Sequence, residues 1–417
     1  MTIPRDPAAA VVQGTDGAAP SGHLPTLIAS FLHFDLSFML WVLLGALGIY
    51  IGESLGLDAA QKGFLVAVPI LSGSLLRIPL GLLSDRIGGK SVGLAMLLFL
   101  CLPLTLGWRL GTSLPALVAV GLMLGTAGAS FAVALPLASR WYSARRQGLV
   151  MGIAAAGNSG TVLANLFAPR LADLVGWQNV LGLALVPLLL VVIAFGLLAQ
   201  DSPDRPRGQP VRHYLQVVKQ ADLWWFCLLY SVTFGGYVGL SSFLPIFFRD
   251  QYQVDPLTAG FLTALGAFVG SGVRPLGGYL ADRFGGVQML TVLVCGIGTA
   301  YGLASRLPPL EVMAVIVVGG MACLGMGNGA VFQLVPQRFR REIGLATGVV
   351  GALGGLGGFF LPTWLGVIRQ GSGSYALGFV ALAIGAFVAL IVLRVLVAGQ
   401  AGWRLAWAPS ATSEARG

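Results

Sequence analysis

Two arginines stand where a cation is hardest to keep. Arg77 lies in the stretch SGSLLRIPLGLLSDRIGGK, residues 72–90, and Arg274 in GSGVRPLGGYLADRFGG, residues 270–286. An Asp-Arg pair follows each by eight residues, Asp85-Arg86 and Asp282-Arg283, so the arrangement recurs at an offset of 197 (274 − 77 and 282 − 85). A guanidinium is planar and always charged, and it presents paired N–H donors to a planar oxyanion, a geometry that lysine cannot reproduce. Two of them at matching places point to a small anion held between two similar halves. The other chemistries are poorly represented. Cys101, Cys227, Cys295 and Cys323 occur singly with no metal-ligand spacing and read as packing residues. The histidines His23, His33 and His213 form no facing pair for haem. No Ser-His-Asp set, carboxylate pair or phosphate loop appears in a suitable context, so an enzyme, a resident metal and a cofactor are all unexpected.

The elements that must position the arginines are set by composition. The chain of 417 residues is 56% hydrophobic and only 10% charged, against about 25% charged in soluble domains. It is therefore read as an all-α membrane protein. A helical crossing needs about 20 apolar residues. Twelve such spans can be marked, at 27–50, 63–83, 91–108, 113–137, 147–169 and 177–199, then at 222–247, 257–281, 287–305, 309–335, 343–368 and 374–398. Residues 1–22, rich in Ala, Gly and Pro, read as a disordered tail without the basic start of a signal peptide, which leaves span 1 in place. Seventeen of the 25 Lys and Arg residues fall on the side that carries both termini and six on the other. That excess predicts cytoplasmic termini. The net charge of +9 is then topology and contact with anionic lipid, and nucleic acid is not an expected partner.

The repeat organises the chain. RRQGLVMG at 145–152 resembles RREIGLATG at 340–348, with Gly148 matching Gly344 and Gly152 matching Gly348. Span 2 thus corresponds to span 8 and span 5 to span 11. The polar, proline-bearing segment 200–221 separates a first six-helix half, 23–199, from a second, 222–398, and a tail follows at 399–417. Six plus six spans in parallel repeats is the plan of a transporter whose halves rock about a site near the midplane.

Here the chain resembles a known family. GLLSDRIGGK looks like the loop motif of the major facilitator superfamily between spans 2 and 3, and GGYLADRFGG like its echo between spans 8 and 9. Arg77 and Arg274, with the Gly157-Asn158 pair of AAAGNSGTVLANLFAP and the glycine-rich GVVGALGGLGGFFLP, resemble the nitrate/nitrite porter family, which carries its two signatures on spans 5 and 11. Phe38 in FMLWVLLGALG, Phe131 in GASFAVAL, and Tyr230 and Phe234 in LLYSVTFGG match further family positions. The likeness covers the twelve spans but not the tails. It implies a nitrate carrier, with nitrite as a second substrate, working as a monomer in a bacterial-type inner membrane, in nitrate assimilation or respiration. It also implies that Arg77, Arg274, Asn158, Tyr230, Gly157, Phe38, Phe131 and Phe234 bind substrate. Asp85, Arg86, Asp282 and Arg283 would be gate-loop residues.

Depth can be read without the family. At about 1.5 Å of rise per residue, Arg77 and Arg274 each lie about 12 Å from the Asp at the cytoplasmic end of their span. Tyr230 (about 12 Å), Phe131 (about 13 Å), Asn158 and Phe38 (about 16 Å each) fall near the same plane. Each phenylalanine, taken alone, is an ordinary packing residue. Asp35 is the carboxylate well inside a span, and an intramembrane acid is by default a proton relay or counter-ion. A structural role beside Ser37, His33 or an arginine is the alternative. Proton-coupled uptake is the leading mechanism, and nitrate/nitrite antiport without a proton is the second. An anion sensor would need a long cytoplasmic domain that this sequence does not show, and a doubly cationic pocket would repel the organic cations of a drug/proton antiporter.

Overall fold

A computed structural model describes residues 22–142, 150, 156–203, 217–339 and 343–405. Arg145, Arg146, Gly148, Gly152, Arg340 and Arg341, most of the tails, and residues 204–216 of the central loop lie outside the described residues. Among the described residues there is no β-strand, and eleven helices are long and apolar enough to cross a membrane.

In chain order, α1 is Leu24–Trp41, carried on past breaks at Val42 and Leu47 by Leu43–Ala46 and Gly48–Leu55. Then come α2 (Ala59–Ile87), α3 (Gly89–Leu110) and α4 (Leu114–Ser139), the last tightened to a 3-10 turn at Gly125–Ala129. The described part of the fifth span is α5, Gly160–Val175, entered through a turn at Ala156–Ser159. The rest are α6 (Trp177–Leu198), α7 (Ala221–Tyr252), α8 (Pro256–Phe284), α9 (Gly286–Ala304), α10 (Leu310–Arg338), α11 (Ile343–Ser372) and α12 (Ala376–Gly399). Several helices run beyond their expected apolar spans because polar caps extend them. Asp58 and Gln61 form a reciprocal capping box at the start of α2, and Asp255 accepts the Thr258 amide at the start of α8.

The repeat is visible in the turns. Gly88 between α2 and α3 and Gly285 between α8 and α9 both have positive φ (105° and 93°), and so do Gly176 after α5 and Gly373 after α11 (85° and 71°). Each pair is 197 apart, the offset of the arginines. A side chain at these angles would be strained, which explains the first glycine of RIGGK and of RFGG.

Two helix pairs join the halves, α2 along α11 and α5 along α8, while α1 approaches α7 so closely that a Cβ on Gly45 would strike the Ser242 backbone. α6 and α12 present Leu190, Ile193, Ile391 and Val395 outward, as lipid-facing helices do. The polar bonds between the halves are one-sided. At the end remote from the termini, Lys62 pairs with Asp250 at 2.6 Å, Arg249 Nε donates to Glu53 at 3.0 Å, and the Ala59 amide donates to Gln370 at 3.2 Å. At the end carrying the termini, Asp85 pairs with Arg140 and Asp222 with Arg338, each within one half. No hydrogen bond or ion pair joins the halves there among the described residues. Among the described residues the remote end is therefore the one closed by bonds between the halves.

Candidate substrate site

Arg77 is held at mid-depth of α2 by carbonyls from both halves. Its Nε donates to Gly128 O at 2.9 Å and its Nη1 to Gly351 O. Gly128 lies in the 3-10 turn of α4, where the altered ladder can leave a carbonyl for a side chain, and Gly351 lies in the glycine run of α11. The guanidinium carbon is 4.9 Å from the Phe234 ring centre, 5.3 Å from Trp41 and 5.4 Å from Phe131. Rings at these distances stabilise a cation, by about 2 kcal/mol or more where water is excluded. The Nη2 group is buried with no partner.

Arg274 opens the second segment of α8. Pro275 has no N–H and its ring crowds the carbonyl four residues earlier, so the helix breaks at Val273. That break puts Arg274 at a helix start, half-buried, with Nη1 buried and unpartnered. Arg77, Tyr230 and Arg274 lie within electrostatic range of one another. The Tyr230 ring stacks flat on Phe234 (centroids 4.9 Å apart, 1° between planes), and its buried hydroxyl lies against the Arg274 guanidinium. Neither arginine forms an ion pair among the described residues. A buried polar group left unpaired costs about 1–3 kcal/mol, so this cluster of donors suits an anion.

Phe38 joins the same aromatic group, 6.5 Å from Phe234 and 5.1 Å from Trp41. Asn158 is buried, with Oδ1 unpartnered, in a turn that packs on α1 and against α8 of the other half. Gly157 and Gly160 face α1: a Cβ on Gly157 would lie 2.8 Å from the Asp35 amide nitrogen, and one on Gly160 1.8 Å from its carbonyl oxygen. Their lack of a side chain lets α5 close on α1. The glycines of α11 act alike, since a Cβ on Gly354 would meet the Tyr230 ring at 2.2 Å and one on Gly355 the Ser74 hydroxyl at 2.3 Å. Asp35 accepts a hydrogen bond from Ser159 Oγ at 2.6 Å, beside Asn158, and no arginine pairs with it among the described residues.

The gate-loop residues differ between the halves. Asp85 sits in the last turn of α2, where the helix dipole disfavours a negative charge, and Arg140 at the end of α4 offsets it. Asp282 and Arg283 are exposed, with Arg283 over the Phe284 ring, and Arg86 is exposed. Asp282 forms no ion pair among the described residues.

Two side chains of the cluster were not expected from sequence. Trp41 ends the first segment of α1, donates its Nε1 hydrogen to Pro69 O at 2.7 Å, and fills space left by Gly73 and Gly128. A tryptophan at mid-span, away from the interfacial belts, was the available signal. Phe332 of α10 lies 5.8 Å from Phe131 and edge-on to Tyr230 at 4.8 Å. One phenylalanine among the 22 in this chain carries no such signal.

The family model of the Major Facilitator Superfamily matches residues 29–362. The chain is 34% identical over 359 residues to the "Nitrite extrusion protein" of Bacillus subtilis, covering 85% of this chain and 90% of that one. It is 33% identical to the "Probable nitrate/nitrite antiporter NarK1" of Thermus thermophilus, covering 90% and 91%. With the "Probable nitrate transporter NarT" of Staphylococcus epidermidis it shares 32%, over 85% and 92%. A bacterial homologue of the human lysosomal transporter Spinster, crystallised inward-facing and occupied, superposes with a TM-score of 0.65 at 21% identity, over 91% of this chain and 96% of that one. That likeness concerns the fold alone.

Proposed function

For a chain that belongs to the nitrate/nitrite porter family of the major facilitator superfamily, we propose that the substrate is nitrate, carried across a bacterial inner membrane by alternating access and not chemically changed. The observation that carries this reading is the unpartnered Nη2 of Arg77 and Nη1 of Arg274, one from each half, beside the buried Tyr230 hydroxyl. A planar trigonal anion accepts from both guanidinium edges at once, while Phe38, Phe131 and Phe234 cover its flat faces and exclude water. Exclusion favours a weakly hydrated anion, since less solvation is lost on entry. The Asn158 side-chain amide N–H supplies a further donor from the turn that leads into α5.

The two six-helix halves, 23–199 and 222–398, are the rocking bodies, with 200–221 as the cytoplasmic connection. The excess of Lys and Arg on the side of the termini supports a cytoplasmic position for both; on this reading the sealed end is the periplasmic one and this state faces inward. Inward movement of an anion against the membrane potential costs about 2.3 kcal/mol per 100 mV. A co-transported proton can offset it, and Asp35 is the acceptor on this reading. Its partner Ser159 adjoins Asn158, so a change of charge at Asp35 bears directly on the turn that carries a substrate contact. The names of the relatives, one an antiporter and one an extrusion protein, favour a second reading, nitrate/nitrite exchange without a proton.

Counterflow and pH-jump uptake of nitrate in proteoliposomes test both. Accumulation driven by an inward proton gradient supports the symport; uptake that requires internal nitrite and ignores the gradient supports exchange. Protein that binds neither anion overturns the site.

A further inference from the structure

Tyr237 of α7 lies two helical turns beyond Tyr230, toward the sealed end, and is buried. Its hydroxyl meets three oxygens: Ser271 Oγ at 2.6 Å and Ala267 O at 3.1 Å, both on α8 of its own half, and Thr161 Oγ1 at 3.0 Å on α5 of the other half. Thr161 Oγ1 in turn reaches Asn158 O at 2.8 Å. Each hydroxyl has one hydrogen. Both carbonyls can only accept, so three hydrogens serve four contacts: when Ser271 donates to Tyr237, Tyr237 to Thr161 and Thr161 to the Asn158 carbonyl, the bonds form a directed chain across the halves and Ala267 O is the contact left without a hydrogen. Such chains strengthen cooperatively in a low dielectric. One end is the backbone of Asn158. The other is in the last turn of α8 before the break at Val273, three residues from Arg274.

We propose that Tyr237 is a positioning residue that keeps the outer gate shut and ties it to the two substrate arms, Asn158 on one half and Arg274 on the other. The proposal rests on the reading of those two residues as substrate ligands. Outward opening must part α5 from α7 and α8, and among the described residues the hydrogen bonds crossing there are Thr161 with Tyr237 and Asn165 Nδ2 with Ser241 O at 3.2 Å. An anion drawn to Asn158 and Arg274 pulls on both ends of the chain, so substrate occupancy and gate closure share one linkage. A contact present in only one access state biases the equilibrium by its own net strength. Losing this one favours the outward-open state by about fivefold to tenfold.

The test uses full-length protein with the four cysteines replaced and Ser242→Cys as reporter, because Ser242 is buried against α1 of the opposite half. Labelling by a membrane-impermeant thiol reagent from the sealed side reads the gate. Tyr237→Phe, which keeps the ring, and Thr161→Val, which keeps the shape, should each speed labelling about fivefold to tenfold. The double variant should add nothing more, because both remove the same bond across the halves. Potassium nitrate should slow labelling in the parent and no longer do so in either variant, and nitrate Kd should rise in the variants by the factor by which nitrate slows labelling in the parent. Unchanged labelling in both folded variants, or additive effects in the double, overturns the proposal and leaves Tyr237 as packing. A parent that binds no nitrate, with labelling still released by both variants, refutes the substrate reading and the tie to it, leaving only the gate contact.

Discussion

Replacing Arg77 by lysine keeps the charge and removes the fork. In the structure three nitrogens have three duties: Nε donates to Gly128 O, Nη1 to Gly351 O across the interface, and Nη2 is buried and unpartnered. A lysine ammonium is a single point on a flexible stem and cannot serve two carbonyls on different helices and an anion at once. The smallest consistent loss is one hydrogen bond to a charged group, about 1.5–3 kcal/mol, or roughly 10- to 150-fold in affinity at 1.4 kcal/mol per decade. Release of Gly351 O adds to this by loosening a bond that joins the halves. Titration calorimetry of nitrate into detergent-purified, monodisperse Arg77→Lys, with the thermal midpoint of the same sample, makes the measurement. A Kd within about threefold of wild type, at an unchanged midpoint, would show that Nη2 does not face the anion and would refute the reasoning.

Asn158→Ala should weaken nitrate binding about tenfold while the thermal midpoint barely moves, because the unpartnered Oδ1 contributes no internal bond; a stability loss with unchanged affinity would reassign Asn158 to packing. Asp35→Asn keeps an acceptor for the Ser159 hydroxyl, so nitrate binding and exchange between preloaded vesicles should persist while acceleration by an inward pH gradient disappears. A wild-type pH response in that variant makes Asp35 structural. Gly354→Ala places a methyl group 2.2 Å from the Tyr230 ring, which must shift off Phe234 at a cost of about 1–3 kcal/mol; stability and nitrate binding should fall together, and a variant with both intact would show that α11 can move away freely.

Much of the fold is a one-dimensional property and was legible in the sequence. Span length, the charge excess on one side and the 197-residue repeat follow from local composition, and Gly88 and Gly285 adopt positive φ at that same spacing. Depth is also one-dimensional, since helical rise alone put Arg77, Arg274, Tyr230, Phe131, Phe38 and Asn158 near one plane. Direction around each helix is not, because it depends on how twelve helices pack. Only the tertiary structure decided that Gly157 and Gly160 face α1, that Trp41 and Phe332 complete the aromatic group, and that Asp85 has Arg140 while Asp282 stands exposed. The partners of Arg77 belong to the same class. Which carbonyls are free depends on a 3-10 turn in α4 and on how closely α11 lies along α2, and neither can be read from a run of glycines. The sealed end is likewise a property of contacts between distant residues, Lys62 with Asp250 and Glu53 with Arg249, because an access state is a relation between two halves and no single stretch of sequence encodes it.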